Sequence, residues 1–409
     1  MRSRFQDLSA VFAIRPFAIY QAGHISMTVG LWMQRIAIGW VVWTLTQSEA
    51  WLGVIAFAEL FPSIFTGILG GRLADRIPTT RVMFWGQIAN ALVSLLLAVL
   101  HFSGALTPGA IVGAMVFFGA INGLLLPARL SMASYLAPPH LLPSALAVNS
   151  TGFNLSRLVG PAISAGLLLV SSAAVVFVIT SVSFLVFARV LHVIRDVPRQ
   201  SPARAPMPKA GTLKVFKDVM ATPIIFGIIL LQFAQGLLLR PANELFPAFS
   251  ELSFDMGEVG LGALNGALGG GAIIGALAFS KARATMAALR QIFVTSAFFA
   301  LSLIAFAQTQ NFGLALLFLV VHGASMASSN IAAMTFVQIR TPQERLGRVL
   351  SLYTAVYRVG PALGAFLFGI TAEATSLAVT GVGFGVLGLA VTCALAVYIM
   401  RPSVNKDPL

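Results

Sequence analysis

Gly70-Gly71-Arg72-Leu73-Ala74-Asp75-Arg76-Ile77-Pro78-Thr79-Thr80-Arg81 places three arginines and an aspartate between two long apolar runs, Trp51 to Leu69 and Val82 to Leu100. Both flanks are apolar enough to sit in hydrocarbon, so the charged turn between them belongs at a membrane face. About two hundred residues later a worn copy appears as Gly275-Ala276-Leu277-Ala278-Phe279-Ser280-Lys281-Ala282-Arg283, with Phe279 standing where Asp75 stands. The pattern is that of a chain built from two related halves.

Composition agrees with membrane immersion. Of the 409 residues, 58% are hydrophobic and 10% charged, whereas roughly a quarter of a soluble domain is charged. A hydrocarbon layer of about 30 Å needs about 20 apolar residues per helix. Twelve windows qualify, near 17–43, 51–70, 82–102, 109–133, 144–170, 173–192, 222–247, 259–280, 286–306, 312–336, 347–370 and 377–400. The first continues without a small-residue cleavage site and reads as a retained helix. The expected fold is therefore an all-α membrane protein of twelve transmembrane helices in two six-helix bundles.

Charge placement supplies orientation. The net charge of +13 would raise nucleic acid as a partner if the charge were scattered. It is not. Loops after windows 1, 3, 5, 7, 9 and 11 contain no Lys or Arg, and all but four of the 26 basic residues fall on the opposite face. By the positive-inside rule that face is cytoplasmic, with both termini on it. Contact with anionic headgroups then accounts for the basic excess without nucleic acid.

Between windows 6 and 7 the composition shifts. Residues 195–221 contain four prolines within 198–208, a spacing that favours an extended linker, and Leu213 to Met220 reads as a short amphipathic surface helix. The linker separates bundles 1–194 and 222–409. Arg157-Leu158-Val159-Gly160-Pro161-Ala162-Ile163-Ser164 in window 5 matches Tyr357-Arg358-Val359-Gly360-Pro361-Ala362-Leu363-Gly364 in window 11, so the halves repeat in the same direction, an arrangement used by secondary transporters.

The stretch Gly71, Leu73, Ala74, Asp75 and Arg76 resembles the signature between helices 2 and 3 of the major facilitator superfamily, and departs from it at Pro78, Thr79 and Thr80. Gly30-Leu31-Trp32-Met33-Gln34-Arg35, Asn149 with Arg157 and Gly160-Pro161, and Arg240-Pro241-Ala242-Asn243-Glu244-Leu245-Phe246-Pro247 resemble the enterobactin-type siderophore exporters and macrolide efflux proteins. The resemblance implies a proton-coupled exporter of a small organic molecule, acting as a monomer by alternating access. It also implies that Gly71, Asp75 and Arg76 form a conformational latch. A lipid or lysolipid flippase of the same fold is the alternative.

Ionisable groups inside the membrane cost about 2.5–3.5 kcal/mol on insertion scales and mark function. Arg35, Glu59, Arg157, Arg240, Glu244 and Arg358, with His24 and His322, are the candidates. Arg35 and Glu59 both lie about 12 Å below the outer surface at 1.5 Å per residue, so they can pair. Arg240 and Glu244 are four residues apart and can pair on one helix unless Pro241 breaks it. Glu59, Glu244 and the two histidines are the proton-coupling candidates, and the four arginines the substrate or ion-pair candidates.

Other patterns lead away from chemistry. Gly383-Phe384-Gly385-Val386-Leu387-Gly388 fits G-x-G-x-x-G but lies inside an apolar helix with no preceding strand. Neither a Walker motif nor metal-ligand spacing among the five histidines is present, and the single cysteine, Cys393, excludes disulfides. No catalytic residue, metal or cofactor is expected.

Overall fold

Without water in the hydrocarbon layer each spanning segment must satisfy its backbone hydrogen bonds internally, and the described residues do so in twelve helices long and apolar enough to cross a membrane. The computed structural model describes residues 9–74, 76–198, 222–278 and 286–401. Asp75, most of the 195–221 linker with its expected amphipathic helix, and Phe279 to Arg283 lie outside the described residues.

The first six helices are α1 (Arg15–Thr46), α2 (Glu49–Ala74), α3 (Thr79–Phe102), α4 (Pro108–Leu136), α5 (Leu142–Val170) and α6 (Ala173–Val193). Then follow α7 (Pro223–Leu238), α8 (Gly257–Ala278), α9 (Met286–Gln308), α10 (Phe312–Arg340), α11 (Gln343–Ala374) and α12 (Leu377–Ile399). Three helices that start at Lys- and Arg-free loops have neutral polar caps. Thr107, Asn311 and Ser376 side chains accept from the N–H of Ala110, Leu314 and Val379 at 3.2, 3.0 and 3.2 Å.

The chain divides into two units, Met1–Thr46 with Ala58–Ala205, and Gln47–Phe57 with Pro206–Leu409. In the first, helices are tied by short side chains reaching neighbouring backbones. Ser164 donates to Met33 O at 3.0 Å, Thr180 to Gly30 O at 3.0 Å and Ser181 to Ala91 O at 2.9 Å. Such bonds, together with close packing rather than hydrophobic attraction, hold helices together in lipid. Ser94 also donates to Gln34 Oε1 at 2.5 Å.

In the second unit Gln235 Nε2 donates to Ser296 Oγ (2.6 Å) and Ser329 Oγ (3.0 Å), locking α7, α9 and α10 in a fully buried cluster that includes Gln232. The segment Gln47–Phe57 belongs here rather than with the remainder of α2. Ser48 Oγ donates to Glu373 Oε2 at 2.6 Å, which also accepts from the Ala50 N–H at 3.0 Å. A Cβ on Gly369 would sit 2.6 Å from Glu49 O, so only glycine permits that approach.

The repeated Gly-Pro motif does the same work in each unit. A Cβ on Gly160 of α5 would lie 2.6 Å from Trp32 Cβ on α1, and one on Gly360 of α11 would lie 2.9 Å from Phe233 O on α7. The G-x-G-x-x-G run of α12 is packing surface too, with Gly385 against Ile304 and Gly388 against Leu239.

Candidate functional site

In the first unit the charged candidates gather on an indole. Trp32 and Arg35 are three residues apart on α1 and so share a face. Arg35 Nη1 meets Glu59 Oε1 of α2 at 3.3 Å, and about a fifth of each side chain stays accessible, 23% and 19%. The Arg35 guanidinium carbon is 5.8 Å from the Trp32 ring centre, and that of Arg157 on α5 is 5.5 Å from it. Phe153, one turn before Arg157, meets the same indole edge-on at 6.2 Å. Trp32 Nε1 is buried without a hydrogen-bond partner. Glu59 is held at its height by α4, because Gly119 lies directly under the Glu59 carbonyl oxygen and no larger residue fits.

In the second unit α7 stops being an α-helix where Pro241 removes a donor. Leu239 and Arg240 N–H groups both donate to Gln235 O (2.9 and 3.1 Å), and the chain continues as a 3₁₀ segment (Pro241–Leu245), one α turn (Phe246–Ala248) and a π turn (Phe249–Ser253). The expected continuous window 222–247 is therefore broken.

The break redirects Arg240. Its guanidinium carbon lies 3.8 Å from the ring centre of Tyr357 on α11, while its buried Nε and Nη2 have no hydrogen-bond partner. Arg240 caps the 3₁₀ winding that begins at Pro241 and Glu244 lies within it, which takes the two positions off the α-helical i,i+4 register. Tyr357 stacks on Tyr353 (6.3 Å, 13° between planes), and Tyr353 Oη donates to Asn330 Oδ1 at 3.1 Å. Arg358 follows Tyr357 on α11.

A cation held over a ring away from water is worth about 2 kcal/mol. Tyr357→Leu should accordingly lower the thermal stability of the purified protein by about that amount and Tyr357→Phe by much less. Equal losses in a thermal unfolding assay would locate the stabilisation in the hydroxyl.

The two histidines sit in aromatic pockets. His24 stacks on Tyr20 (5.6 Å, 12°) beside Phe187, with Nδ1 unpartnered. His322 Nδ1 shares a hydrogen with Ser302 Oγ at 3.0 Å beneath Phe299. Of the latch candidates, Arg76 is exposed on a turn where Arg76 and Ile77 N–H groups both reach Leu73 O. A Cβ on Gly71 would meet nothing within 4 Å.

By its place in the sequence Arg129 groups with the basic residues of the cytoplasmic face. It lies seven residues inside the end of α4 and donates to Asn122 Oδ1 at 3.0 Å, within electrostatic reach of Tyr20 and His24. The signal was available in the apolar residues continuing beyond it to Leu136. Trp32, Tyr353 and Tyr357 were also passed over, although each is three or four residues from an arginine or from one another on a helix. No group of three or more His, Cys, Asp or Glu side chains converges among the described residues.

A family model described as transmembrane secretion effector matches residues 8–408. The chain is 24% identical to the staphyloferrin A transporter of Staphylococcus aureus, covering 90% of this chain and 92% of that protein. It is 28% identical to the enterobactin exporter EntS of Escherichia coli, covering 94% and 92%. The nucleoside transporter NupG superposes with a TM-score of 0.74 at 14% identity over 94% of this chain and 99% of that one. A bacterial homologue of the lysosomal transporter Spinster gives 0.68 at 16%, covering 96% and 95%.

Proposed function

Because the chain belongs to the transmembrane secretion effector family of major facilitator transporters, we propose that it exports a small siderophore-like molecule, drug or metabolite by proton-coupled alternating access. It is a multi-pass inner-membrane transporter; we place both termini in the cytoplasm on the positive-inside rule and take the monomer as the working unit. The observation that carries the reading is the Trp32 ring lying near both Arg35, paired with Glu59, and Arg157. A flat ring with cations beside it suits a planar, negatively charged solute, since the guanidinium groups offer charge-assisted hydrogen bonds. The relatives named a staphyloferrin A transporter and an enterobactin exporter support a siderophore-like cargo.

Glu59 is the proposed proton carrier. A solute that takes Arg35 away from the carboxylate removes the charge that favours ionisation, so Glu59 takes up a proton as Arg35 leaves and releases it when Arg35 returns. Glu244, His24 and His322 stand second, since the histidines are already engaged with aromatic rings. Arg157, Arg240 and Arg358 are assigned to the solute, and Gly71, Asp75 and Arg76 to switching between states.

The test compares secreted metabolites and drug sensitivity in cells with and without the protein, before and after collapse of the proton gradient. Export that appears with the protein and disappears with the gradient is the expected result; export indifferent to the gradient removes proton coupling. Arg157→Ala should weaken solute binding about tenfold or more in a correctly folded protein, as for loss of one charged contact. Unchanged binding would reduce Arg157 to a packing role, and movement of labelled lipid without any soluble product would identify a flippase instead.

A further inference from the structure

Two grooves open away from the residues assigned to solute and proton, one in each unit. The first, about 420 Å³, lies between the end of α2, α3 and α4, lined by Leu73, Val82, Trp85, Ala89, Ile121 and Leu124. Arg81, at the second turn-facing position of α3, stands at its mouth and is exposed. Trp85, four residues on and therefore on the same helix face, is 63% exposed.

The second, about 410 Å³, lies between α9 and α10, lined by Ala287, Gln291, Val294, Phe298, Ser325 and Ser328, with exposed Arg290 one turn into α9. Val294 and Phe298 are each 53% exposed, and the buried Gln291 Nε2 has no hydrogen-bond partner. Helices α9 and α10 occupy the places in the second six-helix repeat that α3 and α4 occupy in the first.

We propose that each groove is a binding site for one anionic phospholipid of the inner leaflet, its acyl chain along the apolar floor and its phosphate on Arg81 or Arg290. This rests on the positive-inside orientation given above. Both arginines lie within one turn or so of the helix ends on the arginine-rich face, the depth of the cytoplasmic headgroups. Basic pockets between helices on that side suit anionic headgroups. The apolar walls face a medium of acyl chains, and an exposed Trp at this depth is at home at the interface. In the second groove Gln291 Nε2 can serve a phosphate or ester oxygen, which supplies the acceptor that the buried amide lacks.

Leu73, one wall of the first groove, also bears the turn to which Arg76 is hydrogen-bonded. Lipid there would bear on switching as well as on stability.

The test is native mass spectrometry of the full-length protein released from nanodiscs containing phosphatidylglycerol and phosphatidylcholine, with thermal unfolding alongside. The wild type should retain two phosphatidylglycerol adducts. Arg81→Gln and Arg290→Gln should each retain one, and the double variant none, with unfolding midpoints in pure phosphatidylcholine unchanged. Ala89→Trp, which fills the first groove without touching charge, should also lose one adduct, whereas Arg345→Gln, exposed but outside both grooves, should keep two. Equal retention of phosphatidylcholine, or an unchanged adduct count in the double variant, would overturn the assignment. So would equal loss with Arg345→Gln, which would mean diffuse attraction. Protein dimers abolished by Ala89→Trp would make the first groove a self-association surface instead.

Discussion

Substituting leucine for Arg35 is expected to abolish proton-driven transport and to destabilise the protein by about 3 kcal/mol, whereas R35L/E59L together should regain stability without regaining transport. The first effect follows from removing the guanidinium 3.3 Å from Glu59 while leaving the carboxylate inside the membrane. Breaking one side of a buried pair costs about 3–5 kcal/mol, and the lower end applies where side chains keep some access. Replacing both members by apolar residues of similar volume is often neutral, because neither charge then needs desolvation. Thermal unfolding in detergent reads the stability, and proton-coupled uptake into inverted vesicles reads the transport. Glu59→Gln separates the roles further: it keeps shape and a hydrogen bond to Arg35 but cannot exchange a proton. Solute counterflow should survive in that variant while gradient-driven uptake falls by a hundredfold or so, about 2.7 kcal/mol at 1.4 per decade. Normal gradient-driven uptake by R35L/E59L would reduce the pair to structural glue.

The second large effect concerns α8 and α10. Gly271 and Gly275 of α8 lie under the carbonyl oxygens of Val320 and Ala324, and Gly323 of α10 lies under that of Leu268. Any Cβ at these places would overlap backbone, which cannot swing aside as a flexible side chain can. Overpacking usually costs about 1–3 kcal/mol; at a backbone-to-backbone contact the upper end or more applies, against a total stability of about 5–15 kcal/mol. Gly271→Val is therefore expected to leave little folded protein in the membrane, measured by fluorescence-detected size exclusion. Gly266→Ala on the same helix has open space within 4 Å and should express normally. If Gly271→Val also behaves normally, the helices separate more readily than the contacts imply.

What was legible in the sequence is tied to signals that survive without tertiary context. Span length is set by bilayer thickness, and loop charge by the membrane's asymmetry, so all twelve helices could be found from apolar run length and the positions of Lys and Arg. The meeting of Arg35 and Glu59 was accessible because equal depth on successive helices limits where two charges can go. Arg240 shows the opposite case. Pro241 announces a break in α7 but not the 3₁₀ and π winding that follows, and only that winding takes Arg240 to Tyr357. Arg129 was hidden by its nearness to a helix end. The Gln232, Gln235, Ser296 and Ser329 cluster carries no charge and spans three helices, so nothing in local sequence joins its members. The grouping of Gln47–Phe57 with the second unit likewise depends on contacts with residues more than three hundred positions away.

The indole near Arg35 and Arg157 has an optical consequence. The chain has five tryptophans. Trp40 and Trp43 are buried at 9% and 1% exposure and Trp85 is 63% exposed, and Trp32 has two guanidinium groups within 6 Å of its ring. A solute that draws either cation away changes the field across that chromophore, so emission from a variant retaining only Trp32 would report occupancy of the site directly, in unlabelled protein and without a transport assay.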